Sequence, residues 1–547
     1  MQKVDWQLVC PQYEEFQTLF EQGATLDHRS YMDLQTRVTK TLNYFFSDHC
    51  SASILVIKSS DNKAYRQLIA NYVDEYVESI KKPSIISESL DANTLYDTYS
   101  YREKLSYAPG LISKANKSCL IIPLNLALAS AKSWADLKSA ALGGNIPSLP
   151  VSANHANVDA KAFQSEFKLI LVGDREQTAE LDYFDEDFRS GAMLYSEFEM
   201  DLKLTKHSAA DYIGFINSLN QQWNLKPLSQ DGFVKLFQVG AREAEDKQYM
   251  PLSLQWHSAI LNAANNHASG EAVTASNIEQ ARADKQFRES YLPQRAIEDI
   301  LEGQVHIETQ GEQVGQVNGL TVIDMPGHPQ SYGEPARISC VIHFGDGDIS
   351  DVERKAELGG NIHAKGMMIM QAFVSSELDL DMPLPYSASI VFEQSYCEVD
   401  GDSASLAELC SLVSALSGYP INQQIAVTGA VDQFGRVQAV GGLNEKIEGF
   451  YEVCRHQGFT GKQGVVLPKT NLQHLALDNN VVNSIKNGEF HIWAVTTVDE
   501  VIPLLMNKPF RGEDENSVLN KIAERIENFE KHEHPETLLE RVKNWFV

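Results

Sequence analysis

Apolar positions follow two rhythms along this 547-residue chain. From about residue 30 to 205, short uninterrupted apolar runs stand between stretches of helical period: Ser53-Ile-Leu-Val-Ile57, Ser118-Cys-Leu-Ile-Ile122 and Phe167-Lys-Leu-Ile-Leu-Val172. Strands alternating with helices in this way predict a parallel α/β sheet. From about 207 to 290 the period is helical, with helices expected over Ala209–Leu219, Asp231–Arg242, Pro251–Ala268 and Ala275–Tyr291, then a linker helix near Pro293–Glu302. Farther on, Leu406, Leu409, Cys410, Val413 and Leu416 recur at helical spacing, with Gly418 and Pro420 as a stop. Ile447, Phe450, Tyr451 and Cys454 mark a second helix. Between them Gln424–Thr428 and Val437–Val440 read as strands around the turn Asp432-Gln-Phe-Gly435, and Val465–Leu467 before Pro468 as one more. Charged helices are expected at Ser517–Glu530 and Pro535–Trp545. The expected divisions are 1–30, 31–206, 207–292, 293–312, 313–505 and 506–547.

The candidate chemistry lies in two helix starts. Ser403, in Asp400-Gly401-Asp402-Ser403-Ala404-Ser405, sits at or next to a helix N-terminus, where free backbone N–H groups and the helix dipole can meet an oxyanion. Gly401 and Ala404 are small enough to admit a substrate backbone. A serine needs a base. No partner histidine stands in a nearby motif, but Lys446 follows 43 residues on, in the first turn of the second helix after Gly441-Gly442. Burial lowers a lysine pKa, and only the neutral amine can act as a base. A serine in such a place more commonly caps a helix, and a first-turn lysine is more commonly solvated; it is the pair that points to nucleophile and base.

Together, with Thr428-Gly429 between them, these residues resemble the proteolytic domain of the Lon family, in its archaeal-type (B-type) branch, whose nucleophile signature looks like Gly401-Asp402-Ser403-Ala404-Ser405. The resemblance runs from about Val314 to Val501. It takes in Gly315-Gln-Val-Asn-Gly-Leu320, Gly359-Gly-Asn-Ile-His-Ala-Lys-Gly366 and Phe392-Glu-Gln-Ser-Tyr396. It implies an α+β proteolytic domain at 313–505, Ser403 as nucleophile, Lys446 as general base, and Thr428 as the threonine that helps orient the lysine. Asp402 falls where that branch has an acid. A carboxylate beside Lys446 favours the ammonium, so Asp402 is expected to hold the site inactive until substrate or assembly displaces it. His363 lies in a family-like segment and reads as structural. The resemblance further implies a ring of six and unfolded or short polypeptides as substrates.

Lon proteins place an AAA+ ATPase module ahead of the protease, and the run Phe167–Val172 with Gly173-Asp174-Arg175-Glu176 and Asp185–Arg189 resembles the back part of that module. An AAA+-like α/β domain over 31–206 with a helical lid at 207–292 is therefore expected. A P-loop needs glycines to wrap phosphate and a hydroxyl to hold magnesium. After the first apolar run the chain has Ile57-Lys-Ser-Ser-Asp-Asn-Lys63-Ala64, which keeps the lysine alone. Ile121-Ile-Pro-Leu-Asn125 ends without the expected acid pair. Weak or absent ATP binding is expected, with no required cofactor; a divergent ATP/Mg site using Lys63 and Arg189 is the alternative. Arg189 otherwise reads as a surface ion-pair residue.

Seventy-four acidic against 46 basic residues, a net charge of −28, argue against nucleic acid and anionic membranes as partners. Seven cysteines, scattered and without Cys-x-x-Cys, read as reduced thiols. The first ten residues lack a signal-peptide core, and the longest apolar-rich stretch, Cys119–Ala131, is too short to span a bilayer, so a cytoplasmic protein is expected. His532 and His534 lack a full ligand set, so no metal is expected. The leading expectation is a Ser–Lys serine peptidase. ATP-dependent proteolysis and a latent or non-catalytic ring that binds partners are the alternatives.

Overall fold

Continuous apolar runs become central strands of a parallel sheet. The computed structural model describes residues 2–77, 82–101, 105–146, 149–150, 163–345, 347–378, 386–395, 398–512 and 515–533. In chain order the first unit contains β1 (Ile54–Lys58), α1 (Lys63–Tyr76), β2 (Ile85–Ile86), β3 (Cys119–Pro123), α2 (Ala131–Ala141), β4 (Lys168–Gly173), α3 (Arg175–Phe184), α4 (Asp187–Ser190), β5 (Met193–Glu197) and α5 (Lys206–Gln222). The strands lie in the order β5-β1-β4-β3-β2, all parallel, with Leu169 aligned between Ile54 and Leu120. Alternate residues Ile54, Val56, Leu120, Ile122, Leu169 and Leu171 pack on Trp134 and Leu137 of α2. The other faces of these strands, through Leu55, Ile57, Ile121, Ile170 and Val172, are buried too. Burial on both faces is why the runs carry no polar alternation. This unit comprises Gln22–Leu225 with Leu252–Leu254.

The second unit comprises Met1–Glu21, Lys226–Pro251 and Gln255–Val547. It begins with helices α6 (Gln230–Glu243), α7 (Leu254–His267), α8 (Ala275–Glu289) and α9 (Tyr291–Leu301). An α+β body follows: β6 (Gln316–Ile323), β7 (Tyr332–Phe344), β8 (Ile349–Asp351), α10 (Asn361–Leu378), β9 (Tyr386–Glu393), α11 (Ser405–Ser417), β10 (Ile425–Val427), α12 (Leu443–Gln457), β11 (Gln463–Pro468), β12 (Phe490–Val495), α13 (Val498–Met506) and α14 (Val518–Glu533). Its eight-stranded mixed sheet runs from a short strand at Gln2–Lys3 through β12, β11, β10, β6, β7 and β9 to β8. Every residue of α11 is buried, so this helix forms the centre of the core instead of covering one side of it. Gly418 ends α11 in the left-handed conformation, φ 77°, as the stop signal predicts.

Several boundaries move. The helix expected from Pro251 starts at Leu254, because Tyr249–Pro251 is extended. The span Ala275–Tyr291 breaks at Ser290, which separates α8 from α9. The strand at Val437–Val440 shortens to Val437–Gln438, the two residues that pair with Ala430–Val431. The second tail helix, Pro535–Trp545, and His534 lie outside the described residues. Among the described residues no helix is long and apolar enough to cross a membrane, and no group of three or more His, Cys, Asp or Glu is placed to hold a metal ion. Cys10, Cys50, Cys119, Cys340, Cys410 and Cys454 carry free thiols.

Candidate active site

Two helix starts converge on one cavity of about 1040 Å³ in the second unit. Ser403 lies two residues ahead of α11, on a loop sewn to the strand beside it: Gly429 N–H donates to Ser403 O at 2.9 Å and Leu406 N–H to Gly429 O at 3.1 Å. The amide of Val431 donates to Ser405 Oγ at 3.1 Å. Behind the loop runs the family-like segment of α10. A Cβ on Gly360 would stand 2.4 Å from Asp400 Oδ1, and one on Gly366 3.1 Å from Asp402 Cβ. Asp400 Oδ1 accepts from Ile362 N–H at 3.3 Å. These small residues let α10 seat the serine loop closely. The amides of Ser403 and Ala404 have no acceptor among the described residues, and both residues line the cavity.

Lys446 enters from the first turn of α12. Gly442 caps this helix at φ 65°, and a Cβ there would stand 2.5 Å from Val322 Cγ2, so the tight turn expected from Gly441-Gly442 needs glycine at its second position. A second close approach fixes the helix: a Cβ on Gly333 of β7 would stand 1.9 Å from Glu445 O, and one on Gly449 of α12 2.1 Å from Gly333 O. Held this way, Lys446 is 4% exposed and its Nζ donates to Ser403 Oγ at 3.0 Å. Burial pulls the lysine pKa down to about 8, while Asp402 and Glu445 push the other way. Near neutral pH a useful fraction of the amine is therefore free to take the serine proton.

The other expected residues take varied places. Thr428 is fully buried and its hydroxyl donates to Ser403 O at 3.4 Å, on the serine side of the pair. Asp402 is half-buried and lines the cavity. His363, 1% exposed, faces carboxylates: its Nε2 is 3.2 Å from Asp351 Oδ2 and 3.7 Å from Glu408 Oε1. Glu408 is on α11, and burial pushes its pKa up to about 7 against the pull of His363. This buried acid–imidazole cluster braces α10 against α11 and had no signal in the sequence beyond the segment around His363. Also missed were Arg242, which reaches Glu445 and Glu448 on α12, and the Gly333–Gly449 approach; each depends on pairs more than a hundred residues apart.

In the first unit, the loop where a P-loop would stand carries a carboxylate. Asp61 accepts from Arg66 Nη1 at 2.7 Å, Asn125 Nδ2 at 3.2 Å and Gln177 Nε2 at 3.1 Å, and Arg66 further holds Glu88 at 2.8 Å. Asn62 caps α1 by accepting from Ala64 N–H at 2.8 Å. Lys63 is exposed at the first position of α1. Arg189 on α4, 80% exposed, pairs with Asp182. These residues fit a triphosphate poorly: the loop presents an anion, the position for the magnesium hydroxyl is Ala64, and the end of β3 supplies Asn125 instead of an acid.

Comparison with known proteins places both parts. The Lon protease (S16) C-terminal proteolytic domain matches residues 362–508, and the LonB-like AAA domain matches residues 94–199. A protein of Escherichia coli (strain K12) described as a Lon protease homologue is 36% identical, the match covering 100% of this chain and 99% of that protein. A counterpart so described in Haemophilus influenzae (strain ATCC 51907 / DSM 11121 / KW20 / Rd) is 36% identical over 96% of this chain and 94% of its own length. The archaeal Lon protease of Methanocaldococcus jannaschii (strain ATCC 43067 / DSM 2661 / JAL-1 / JCM 10045 / NBRC 100440) is 25% identical over 66% of this chain and 59% of its own length. With similarity along its full length and an AAA-like domain leading into an S16 proteolytic domain, the chain belongs to the Lon protease family.

Proposed function

We propose that this Lon-type protease is a serine endopeptidase with a Ser403–Lys446 dyad, cleaving unfolded or short polypeptides without a need for ATP. The observation that carries the reading is the 3.0 Å hydrogen bond between Lys446 Nζ and Ser403 Oγ, made by an amine whose pKa burial has lowered to about 8. Neutral Lys446 takes the proton of Ser403 Oγ as that oxygen bonds to the scissile carbonyl carbon. The oxyanion finds the amides of Ser403 and Ala404. The Lys446 ammonium then gives its proton to the leaving nitrogen as the C–N bond breaks, which leaves an ester on Ser403. Water attacks that ester, Lys446 takes its proton, and the proton returns to Ser403 Oγ as the carboxyl product leaves. Thr428 keeps the carbonyl of Ser403 in place during this cycle, together with the amide of Gly429.

The Asp61 network supports independence from nucleotide, since a phosphate entering there would meet a carboxylate already held by Arg66, Asn125 and Gln177. A six-membered cytoplasmic ring acting on polypeptides, with neither nucleic acid nor membrane as partner, completes the proposal, and the charge of −28 suits it. The test is hydrolysis of casein and of a fluorogenic peptide by the parent and by Ser403→Ala, each with and without Mg-ATP, alongside fluorophosphonate labelling. Expected is cleavage and labelling in the parent, loss of both in the variant by at least a thousandfold in rate (roughly the scale for losing a nucleophile), and no change with ATP. Equal cleavage by parent and variant would remove Ser403 from the reaction.

A further inference from the structure

The cation closest to the charge balance of the lysine-bearing helix comes from far away in sequence. Arg242 stands in the last turn of α6, 204 residues before Lys446. Its guanidinium donates through Nη2 to Glu445 Oε1 at 2.8 Å and to Glu448 Oε2 at 2.9 Å, and through Nη1 to Glu448 Oε1 at 2.6 Å. Nη1 also donates to Ala476 O at 3.1 Å. The same turn of α12 is tied to that loop a second time, because Ala476 N–H donates to Asn444 Oδ1 at 2.8 Å. Arg242 is 19% exposed, its two partners 20% and 24%, so the pairing is shielded from solvent far more than an ordinary surface pair. A guanidinium fork on two carboxylates fixes direction as well as charge.

Glu445 precedes Lys446 in the chain, and both line the cavity with Arg242. Two carboxylates act on the lysine, Glu445 from its own helix and Asp402 from the serine loop, and both favour the ammonium. On the facing strand β7 the cavity also carries Glu334 and Arg337, and on the loop Asp400. Of the two carboxylates that act on Lys446, Glu445 is the one Arg242 neutralises. An arginine that merely pinned α6 to α12 could have used Glu448 alone; reaching Glu445 as well places it on one of the two carboxylates that act on the base, beside burial and Asp402.

We propose that Arg242 is a positioning residue for Lys446: by holding Glu445 and Glu448 it keeps the first turn of α12 in its active geometry and its carboxylate compensated, so the docking of α6 on α12 sets the readiness of the base. This rests on Lys446 being the base. It makes the helices ahead of the protease part of its chemistry without any nucleotide.

The test compares the parent, Arg242→Gln, Glu445→Gln and the double variant in the full chain. Two readouts are taken against pH: kcat/KM on a fluorogenic peptide, and the rate of Lys446 acetylation by acetic anhydride followed by mass spectrometry. Arg242→Gln is expected to raise the Lys446 midpoint by about one pH unit and lower kcat/KM at pH 7 about tenfold, on the scale of an uncompensated neighbouring charge. Adding Glu445→Gln should bring the midpoint back to the parent value or below it. Glu445→Gln alone should lower it by roughly half a unit, which keeps the test decisive should Arg242→Gln not fold. An unmoved midpoint in either single variant, or a rise that persists in the double variant, would overturn the proposal. The acetylation readout needs no peptidase activity, so failure of Ser403-dependent cleavage with the midpoint still shifting would count against the proposed function alone.

Discussion

Lys446 is the side chain on which the proposed chemistry turns. Its amine is buried and hydrogen-bonded to Ser403, and burial outweighs the two carboxylates beside it to leave a pKa of about 8. Only the neutral form accepts a proton, so kcat/KM is expected to rise with pH along a limb centred near 8 and to level above it. Asp402 works in the opposite direction by favouring the ammonium. Removing it lowers the lysine pKa, which increases the neutral fraction at pH 7. Asp402→Ala should therefore raise kcat/KM at pH 7 roughly three- to fivefold, a shift of half to one pKa unit, and move the limb to lower pH. A pH profile of that variant lying on the parent curve, or activity no higher than the parent's, would show that Asp402 does not restrain the base.

Between elements, what positions the pair is close approach of backbones. Strand β7 and helix α12 touch through Gly333 and Gly449, and a Cβ on Gly333 would come within 1.9 Å of Glu445 O and 2.7 Å of Lys446 N. No rotamer relieves a clash with backbone. Gly333→Ala is therefore expected to push the first turn of α12 outward and cost about a hundredfold in kcat/KM, the scale of a displacement near 1 Å, with circular dichroism unchanged. Full activity in that variant would mean that α12 can shift without carrying Lys446 from Ser403. Helix α11, at whose entrance Ser403 stands, is buried along its whole length. A helix buried on every side cannot shift to follow solvent, and Ser403 at its entrance inherits that rigidity.

Across the whole molecule, the parallel-sheet unit holds the match to a LonB-like AAA domain, and Asp61, Arg66, Asn125 and Gln177 form a hydrogen-bonded cluster where a P-loop would stand. Isothermal titration with Mg-ATP is expected to show no saturable heat up to millimolar nucleotide, and peptide hydrolysis should change less than twofold on adding it; the outcome that would restore the ATP-dependent alternative is binding together with a stimulation of tenfold or more. The helices ahead of the protease keep a role through Arg242, which acts on α12 directly.

Local sequence sufficed wherever the relevant physics is local. The strands Ile54–Lys58, Cys119–Pro123 and Lys168–Gly173 announce burial on two faces by having no polar alternation, and the stop at Gly418 follows from a backbone angle that glycine adopts without cost. The missing glycines, replaced by Ile57 and Asn62, are equally plain, because a P-loop is a contiguous motif. Ser403 and Lys446 could be named as a pair from their motifs 43 residues apart, yet nothing local sets their separation. The 3.0 Å contact, the lowered lysine pKa, the Gly333–Gly449 crossing, the facing of His363 toward Asp351 and Glu408, and the grip of Arg242 on Glu445 are decisions of the tertiary structure. Burial and charge compensation are properties of what packs around a residue, and those neighbours come from distant parts of the chain.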